Sequence, residues 1–205
     1  MSRIEKASET DRLSCDFTSG AVWHRFRFGG GRGQALPRAV GMKSGNTPMV
    51  VDATAGLGRD AFLLASLGAE VTLIERSPDM HRLLAEGLAR ARKAGGGVAE
   101  VVSRMTLLYG ESKDLLSTLL PEVVLVDPMH PPRKKSALVK NEMRLIRKMI
   151  GTDEDSVELM MEALTTASKR VVLKWPLRAV PMEGIRCASH QIVGKTIRYD
   201  VFMVG

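Results

Sequence analysis

The sequence predicts an α/β fold: a mostly parallel sheet with an antiparallel C-terminal hairpin. Three observations predict it. Short apolar runs recur along the chain, each ending in a turn that carries glycine, proline or an acidic residue. Between these runs lie stretches whose apolar residues fall at helical spacing. Near the C-terminus, Gly194-Lys195 interrupts a β-rich segment and reads as a hairpin turn. Strand–helix alternation of this kind implies a parallel sheet covered on both faces. Ligands on such sheets bind at the carboxyl ends of the strands.

Taken in order, residues 1–48 read as a polar tail (to residue 16) and then a Gly-rich, basic lead-in. Residues 49–205 read as the folded domain. The lead-in carries His24-Arg25-Phe26-Arg27-Phe28 and then Gly29-Gly30-Gly31-Arg32-Gly33. Residues 49–53 form a short apolar run and predict a buried first strand. Helical spacing over 59–67 stops at Gly68. Residues 70–75 predict a second strand, and 78–93 a helix that stops at Gly95-Gly96-Gly97. A third strand falls within 101–109, followed by a helix over 111–120. Residues 123–127 predict a fourth strand that Pro128 breaks sharply. Helical candidates follow at 137–150 and 154–168, then a fifth strand at 170–174. The hairpin occupies 191–204.

The 205 residues suit one α/β domain, and 44% hydrophobic residues is ordinary for a globular protein. Thirty Lys and Arg against 23 Asp and Glu leave a net charge of +7, which favours a polyanionic partner. Cys15 and Cys187 form no CxxC pair and read as reduced thiols. The four histidines do not fall at metal-ligand spacing, so no metal site is expected. No apolar run is long enough to cross a bilayer, and the first 16 residues lack the apolar stretch of a signal peptide. These features predict a cytoplasmic location, no membrane contact and no obligate protein partner.

The chemistry should lie in the loops at the strand ends. The first strand runs into Asp52-Ala53-Thr54-Ala55-Gly56-Leu57-Gly58-Arg59-Asp60. Glycines at 56 and 58 allow a tight turn, and the helix that follows offers unpaired amides. This is the nucleotide-cofactor loop of a Rossmann-like fold. Gly56-x-Gly58-x-x-Ala61 also satisfies a dinucleotide fingerprint. Glu75 lies 23 residues after Asp52, where an acidic side chain meets a ribose diol. That favours an adenosine cofactor without separating NAD from S-adenosylmethionine. At the third strand's end, Glu111 or Ser112 could reach an adenine, although both also suit a helix cap.

The fourth strand separates the two cofactors. Val124-Leu125-Val126-Asp127-Pro128-Met129-His130-Pro131-Pro132 resembles the Asp/Asn-Pro-Pro-aromatic motif of amino-group methyltransferases. An exocyclic base amine is a poor nucleophile because its lone pair is conjugated with the ring. A carboxylate and a main-chain carbonyl can accept its two N–H bonds and orient the lone pair toward a methyl sulfonium. Asp127 supplies the carboxylate, Pro128 stiffens the turn and offers its carbonyl, and His130 stands where an aromatic stacks on a flipped base. The cationic stretch that follows, with Lys134, Lys135 and Lys140, would neutralise substrate phosphates. Arg25, Arg27 and Arg32 of the lead-in join the same expected substrate surface. Each basic run reads equally as a solvated face.

The runs Phe28-Gly29-Gly30-Gly31-Arg32-Gly33, Val51 to Phe62, Asp127-Pro128-Met129 and Lys135 to Lys140 together resemble the bacterial ribosomal RNA small subunit methyltransferase J family. The resemblance covers residues 13–205. It implies a Rossmann-like methyltransferase fold, S-adenosylmethionine as cofactor, and methylation of a guanosine N2 near the 3′ end of small-subunit (16S) ribosomal RNA, free or within the assembled subunit. Carried over by position, it implies cofactor contacts at Arg59, Asp60, Glu75, Arg76, Ser112 and Asp127. Glu111 stands where the family has serine, and His130 where it has phenylalanine. Family members also carry a longer N-terminal portion. Three other readings remain open on the residues alone: an amino methyltransferase acting on other RNA, DNA adenine or a protein amide; a nicotinamide-dependent oxidoreductase; and a non-catalytic RNA-binding protein on the same scaffold.

Overall fold

The structure, a computed structural model, describes residues 13–20, 22–24, 31–43, 45–129 and 155–205. Seven strands form one sheet: β1 (Val50–Asp52), β2 (Val71–Glu75), β3 (Met105–Tyr109), β4 (Val123–Val126), β5 (Arg170–Pro176), β6 (His190–Val193) and β7 (Ile197–Met203). Their spatial order is β3-β2-β1-β4-β5-β7-β6. The first five are parallel, and β7 runs antiparallel to both β5 and β6. The C-terminal hairpin is therefore present, and its second strand inserts between β5 and β6. The described helices are α1 (Ala35–Ala39), α2 (Arg59–Ser66), α3 (Pro78–Ala94), α4 (Gly96–Ser103), α5 (Ser112–Leu119) and α6 (Ser156–Thr166). The helix expected over 137–150 lies outside the described residues.

Alternation along the strands builds two cores. Val50, Leu73, Leu125, Val172 and Val201 face one side with Phe62, Leu84 and Leu88. Val51, Ile74, Val124, Val126, Val171, Leu173 and Phe202 face the other with Leu116, Met160 and Ala163. Successive strand residues point to opposite faces, so a sheet buried on both sides needs continuous apolar runs, as these strands have. Local signals set the helix ends. Ser77 caps α3 by accepting a hydrogen bond from the Met80 amide at 3.4 Å, and Pro78 stands at the helix start.

Two expectations change. The third strand was expected within 101–109, but Val101 and Val102 belong to α4. Gly95 and Gly96, both at positive φ, turn the chain from α3 straight into a second helix. Val98, Val101 and Val102 are its buried residues, at i, i+3 and i+4, so packing overrides their preference for strands. The tail was expected to be loosely held up to residue 16, yet Leu13, Cys15 and Phe17 are buried in the core that also takes Leu36, Val40 and Met42. Phe17 stacks on Phe62 with ring centroids 4.9 Å apart. Cys15 donates through Sγ to the Leu57 carbonyl at 3.3 Å, and Arg90 donates to the Cys15 carbonyl at 2.6 Å. Burial pushes the Cys15 thiol up to about 12, so it stays protonated.

Arg32 fastens the lead-in to the domain. Its guanidinium donates to the carbonyls of Lys43, Asn46 and Leu67 and to the Thr47 hydroxyl, at 2.8, 3.2, 3.1 and 3.0 Å.

Gly87 is where α3 admits residues 13–17. A Cβ there would lie 2.8 Å from the Cys15 carbonyl oxygen and 2.8 Å from its Sγ. Gly87→Ala should cost about 1–3 kcal/mol through this overlap, although alanine is the better helix former. Urea denaturation would measure the loss, and a gain in stability would show that residues 13–17 do not pack there.

Candidate active site

The crevice lies where the sheet order reverses, because β1 pairs with β2 on one side and β4 on the other. Asp52 ends β1, Glu75 ends β2, and Asp127 follows β4 directly. Lys174 stands near the end of the next parallel strand, β5. One edge of the sheet thus gathers four charged side chains from four strands.

The loop after β1 is braced from three directions. The Gly56 amide donates to Glu75 Oε2 at 2.9 Å, and the Ser77 amide donates to Oε1 at 2.8 Å. Ser112 donates its hydroxyl to the Ala53 carbonyl at 2.7 Å. The Asp127 amide donates to Thr54 Oγ1 at 2.7 Å, which ties the β4 loop to the β1 loop. The two glycines differ in purpose. Gly58, at φ +67°, would press a Cβ to 2.9 Å from Leu84 and 3.3 Å from Leu73 and Phe17. Gly56, at φ +51°, would meet only the Thr54 carbonyl at 3.9 Å. Its face of the loop is open, and its positive φ is the constraint.

The centre of the site is an ammonium between carboxylates. Lys174 Nζ donates to Asp60 Oδ2 and to Asp127 Oδ2, each at 2.7 Å. Burial by itself would lower the lysine's pKa, but the charges of Asp60 and Asp127 outweigh it and the net direction is up. Asp52 lies beneath the cluster, 4% exposed, and accepts from the Thr54 amide at 3.2 Å. Burial chiefly, then the charge of Asp60, pushes the Asp52 carboxyl up to about 7. Among the bridged groups Asp127 is the most accessible: its side chain is 40% exposed, against 15% for Asp60 and 22% for Lys174. The Asp127 carboxylate is therefore the one of the bridged pair more open to solvent. Pro128 is buried behind it, and Met129 packs on the core.

The remaining expected residues are distributed unevenly. Arg59 is exposed at the start of α2. Arg76 donates to both oxygens of Asp155, at 3.1 and 3.0 Å, and lies 3.6 Å from Glu111, which is half-exposed. Its charge thus ties the β2 loop to the start of α6. Arg32 clamps the lead-in, as described above. His130, Arg25, Arg27, Lys134, Lys135 and Lys140 lie outside the described residues. Sequence reasoning missed Lys174 and Thr54. A lysine directly after the apolar run Val171-Val172-Leu173, at a strand's carboxyl end, was the available signal for the first. Thr54 sits inside a loop whose glycines drew the attention.

Comparison with known proteins places this geometry. A family model described as "Putative SAM-dependent methyltransferase" matches residues 2–204. "Ribosomal RNA small subunit methyltransferase J" of Agrobacterium fabrum is 69% identical over 96% of this chain and 94% of its own length. The chain belongs to the ribosomal RNA small subunit methyltransferase J family. The Brucella anthropi member is 67% identical over 95% of both chains. The Chromohalobacter salexigens member is 51% identical, and only 76% of its length is covered. The greater length expected of the family is thus a feature of some members and not of the Agrobacterium or Brucella protein. A solved structure, the SAM-dependent methyltransferase NGO1261 from Neisseria gonorrhoeae, is 33% identical, with a TM-score of 0.75, over 98% of this chain and 76% of its own. The fold is the Rossmann-like methyltransferase fold, and the family's cofactor is S-adenosylmethionine.

The residues present fit that cofactor. Glu75, buried at the end of β2, stands where an acidic side chain meets ribose hydroxyls. The open face of Gly56 admits a close approach to the loop backbone. Asp60 and Asp127 around one ammonium leave a negative surplus that complements a cationic sulfonium. Among the described residues, no group of three potential ligands could hold a metal, and no helix is long and apolar enough to cross a membrane.

The Asp52 shift gives a stability signature. A carboxyl whose folded value is raised to about 7 favours folding while protonated, and that contribution is lost as pH rises from the ordinary carboxylate range through 7. Asp52→Asn keeps an acceptor for the Thr54 amide and removes the titration. Between pH 5 and pH 8, wild-type stability should fall more steeply than that of D52N. Chemical denaturation across that range would measure it, and parallel curves would refute the assignment.

Proposed function

We propose that this protein transfers a methyl group from S-adenosylmethionine to the exocyclic N2 of a guanosine in small-subunit ribosomal RNA. The carrying observation is Asp127: an accessible carboxylate directly after β4, gripped by Lys174 and followed by a buried proline. The names of the Agrobacterium and Brucella relatives support the substrate class.

Bound S-adenosylmethionine supplies an electrophilic methyl group on a sulfonium. The protein's part is to orient the amine. Asp127 accepts one N–H, the Pro128 carbonyl takes the second, and the nitrogen lone pair then points away from the ring toward the methyl group. Lys174 fixes the rotation of that carboxylate through its ammonium. Thr54 fixes the backbone from which Asp127 projects. As nitrogen acquires positive charge, the fixed carboxylate stabilises it without reorganising; the amine's proton then leaves to solvent, and S-adenosylhomocysteine is the other product. Asp52, deeper and with its carboxyl pushed up to about 7, is held by the Thr54 amide and takes no proton from the substrate in this scheme. Action on ribosomal RNA would place the protein in the cytoplasm, with the small subunit or its RNA as partner.

Labelled methyl transfer to small subunits from cells lacking the native enzyme tests the proposal. Label should appear on guanine N2, and Asp127→Ala should lower kcat by about 100-fold or more. Transfer at wild-type rate by D127A would refute the role of the carboxylate, and label on another base or on DNA would refute the substrate. Lys174→Met leaves Asp127 in place but ungripped, so kcat should fall by about 10-fold or more, with RNA affinity little changed.

A further inference from the structure

The chain after β5 is held by an unusual device. Arg198 and Asp200, both on β7, are 5% and 3% exposed. Arg198 Nε donates to both Asp200 oxygens, at 2.9 and 3.1 Å. Its Nη1 donates to the carbonyls of Pro176, Leu177 and Ala179, at 3.1, 3.0 and 2.8 Å. Nη2 is buried with no hydrogen-bond partner among the described residues. Removing an ion pair from water is costly, and an unmade donor adds to the cost. What the arrangement secures is the backbone of residues 176–179. Trp175 Nε1 takes the next available carbonyl, that of Val180, at 2.7 Å. The Leu177 amide donates to the Thr196 carbonyl at 3.2 Å, which joins this loop to the β6–β7 turn.

Both loops stand at the site's edge of the sheet. β5 is parallel to β4, so the chain leaves β5 on the side where Asp127 leaves β4. β6 and β5 are both antiparallel to β7, so the turn after β6 emerges there too. Arg178 projects from one loop and Lys195 from the other; both are exposed, and neither pairs with another described residue. Val180 and Val193 beside them are 74% and 61% exposed. Residues 174–182 and 190–199 contain no Asp or Glu. A ridge of positive charge and small apolar surface thus stands on the same edge of the sheet as Asp127.

We propose that the two loops form a second RNA-binding wall, in which Arg178 and Lys195 hold backbone phosphates flanking the target nucleotide. This rests on the reading of RNA as substrate. The strap on Arg198 sets the wall before RNA arrives, so the loop need not be ordered on binding. Phosphate contacts position a strand without reading its sequence, which suits a wall built from two cations and exposed valines.

Fluorescence anisotropy with a labelled single-stranded RNA, titrated at several salt concentrations, tests it with the full chain. The double variant R178A/K195A should bind about ten-fold more weakly, and its log K against log salt slope should be shallower by about 0.7 per lost contact. KM for small subunits should rise while kcat stays within about two-fold, and the dissociation constant for S-adenosylhomocysteine should not move. Unchanged affinity and slope in the variant, with the wild type binding RNA, would overturn the wall and leave the function standing. Failure of the wild type both to bind RNA and to methylate small subunits would overturn both.

Discussion

Much of this molecule's architecture serves one interaction, the ammonium of Lys174 held between Asp60 and Asp127. It joins the helix after β1 to the loop after β4 through a residue of β5. Without that cation, two carboxylates would face each other above a third, Asp52, in a setting that already pushes the Asp52 carboxyl up to about 7. Repulsion between like charges in a partly buried crevice would swing Asp127 outward or neutralise it. Either change would remove a fixed acceptor. The lysine thus makes a dense acidic site compatible with a folded sheet.

The rest of the site supports that centre from its periphery. Glu75 spends two acceptor positions on the backbone amides of Gly56 and Ser77, so it shapes the cofactor loop as well as facing it. Ser112 pins the same loop from the third strand's end. These bonds make the loop rigid before any ligand arrives, which lowers the ordering cost of binding. Arginines follow the same economy. Arg32, Arg76 and Arg198 each direct a guanidinium onto several acceptors of the fold and act as fasteners between segments distant in sequence. Net positive charge therefore overstates how much cation is available to a polyanion.

The sequence alone was informative about the fold because its cues are local. Apolar runs, Gly56, Gly58, Ser77-Pro78 and Pro128 mark strand ends and helix starts with side-chain and backbone preferences that need no partner. The Asp127-Pro128 motif, Glu75 and the glycine loop are likewise local cues, and the fold brings all three to one edge of the sheet. Local cues failed at α4, where valines read as strand but bury one helical face, and at residues 13–17, where polar neighbours hid three core side chains.

Sequence by itself determined an α/β chain and pointed to a nucleotide-cofactor loop and a carboxylate suited to amine chemistry, since each reading follows from residue type and short-range spacing. Tertiary structure decided the spatial order of the strands, with β7 inserted antiparallel between β5 and β6. It also decided which charges work together. Lys174 and Asp127 stand 47 residues apart, and Arg198 lies 19 to 22 residues from the carbonyls it holds. No periodicity encodes such pairs. They are created when parallel strands align their ends and burial leaves each charge no solvent to turn to.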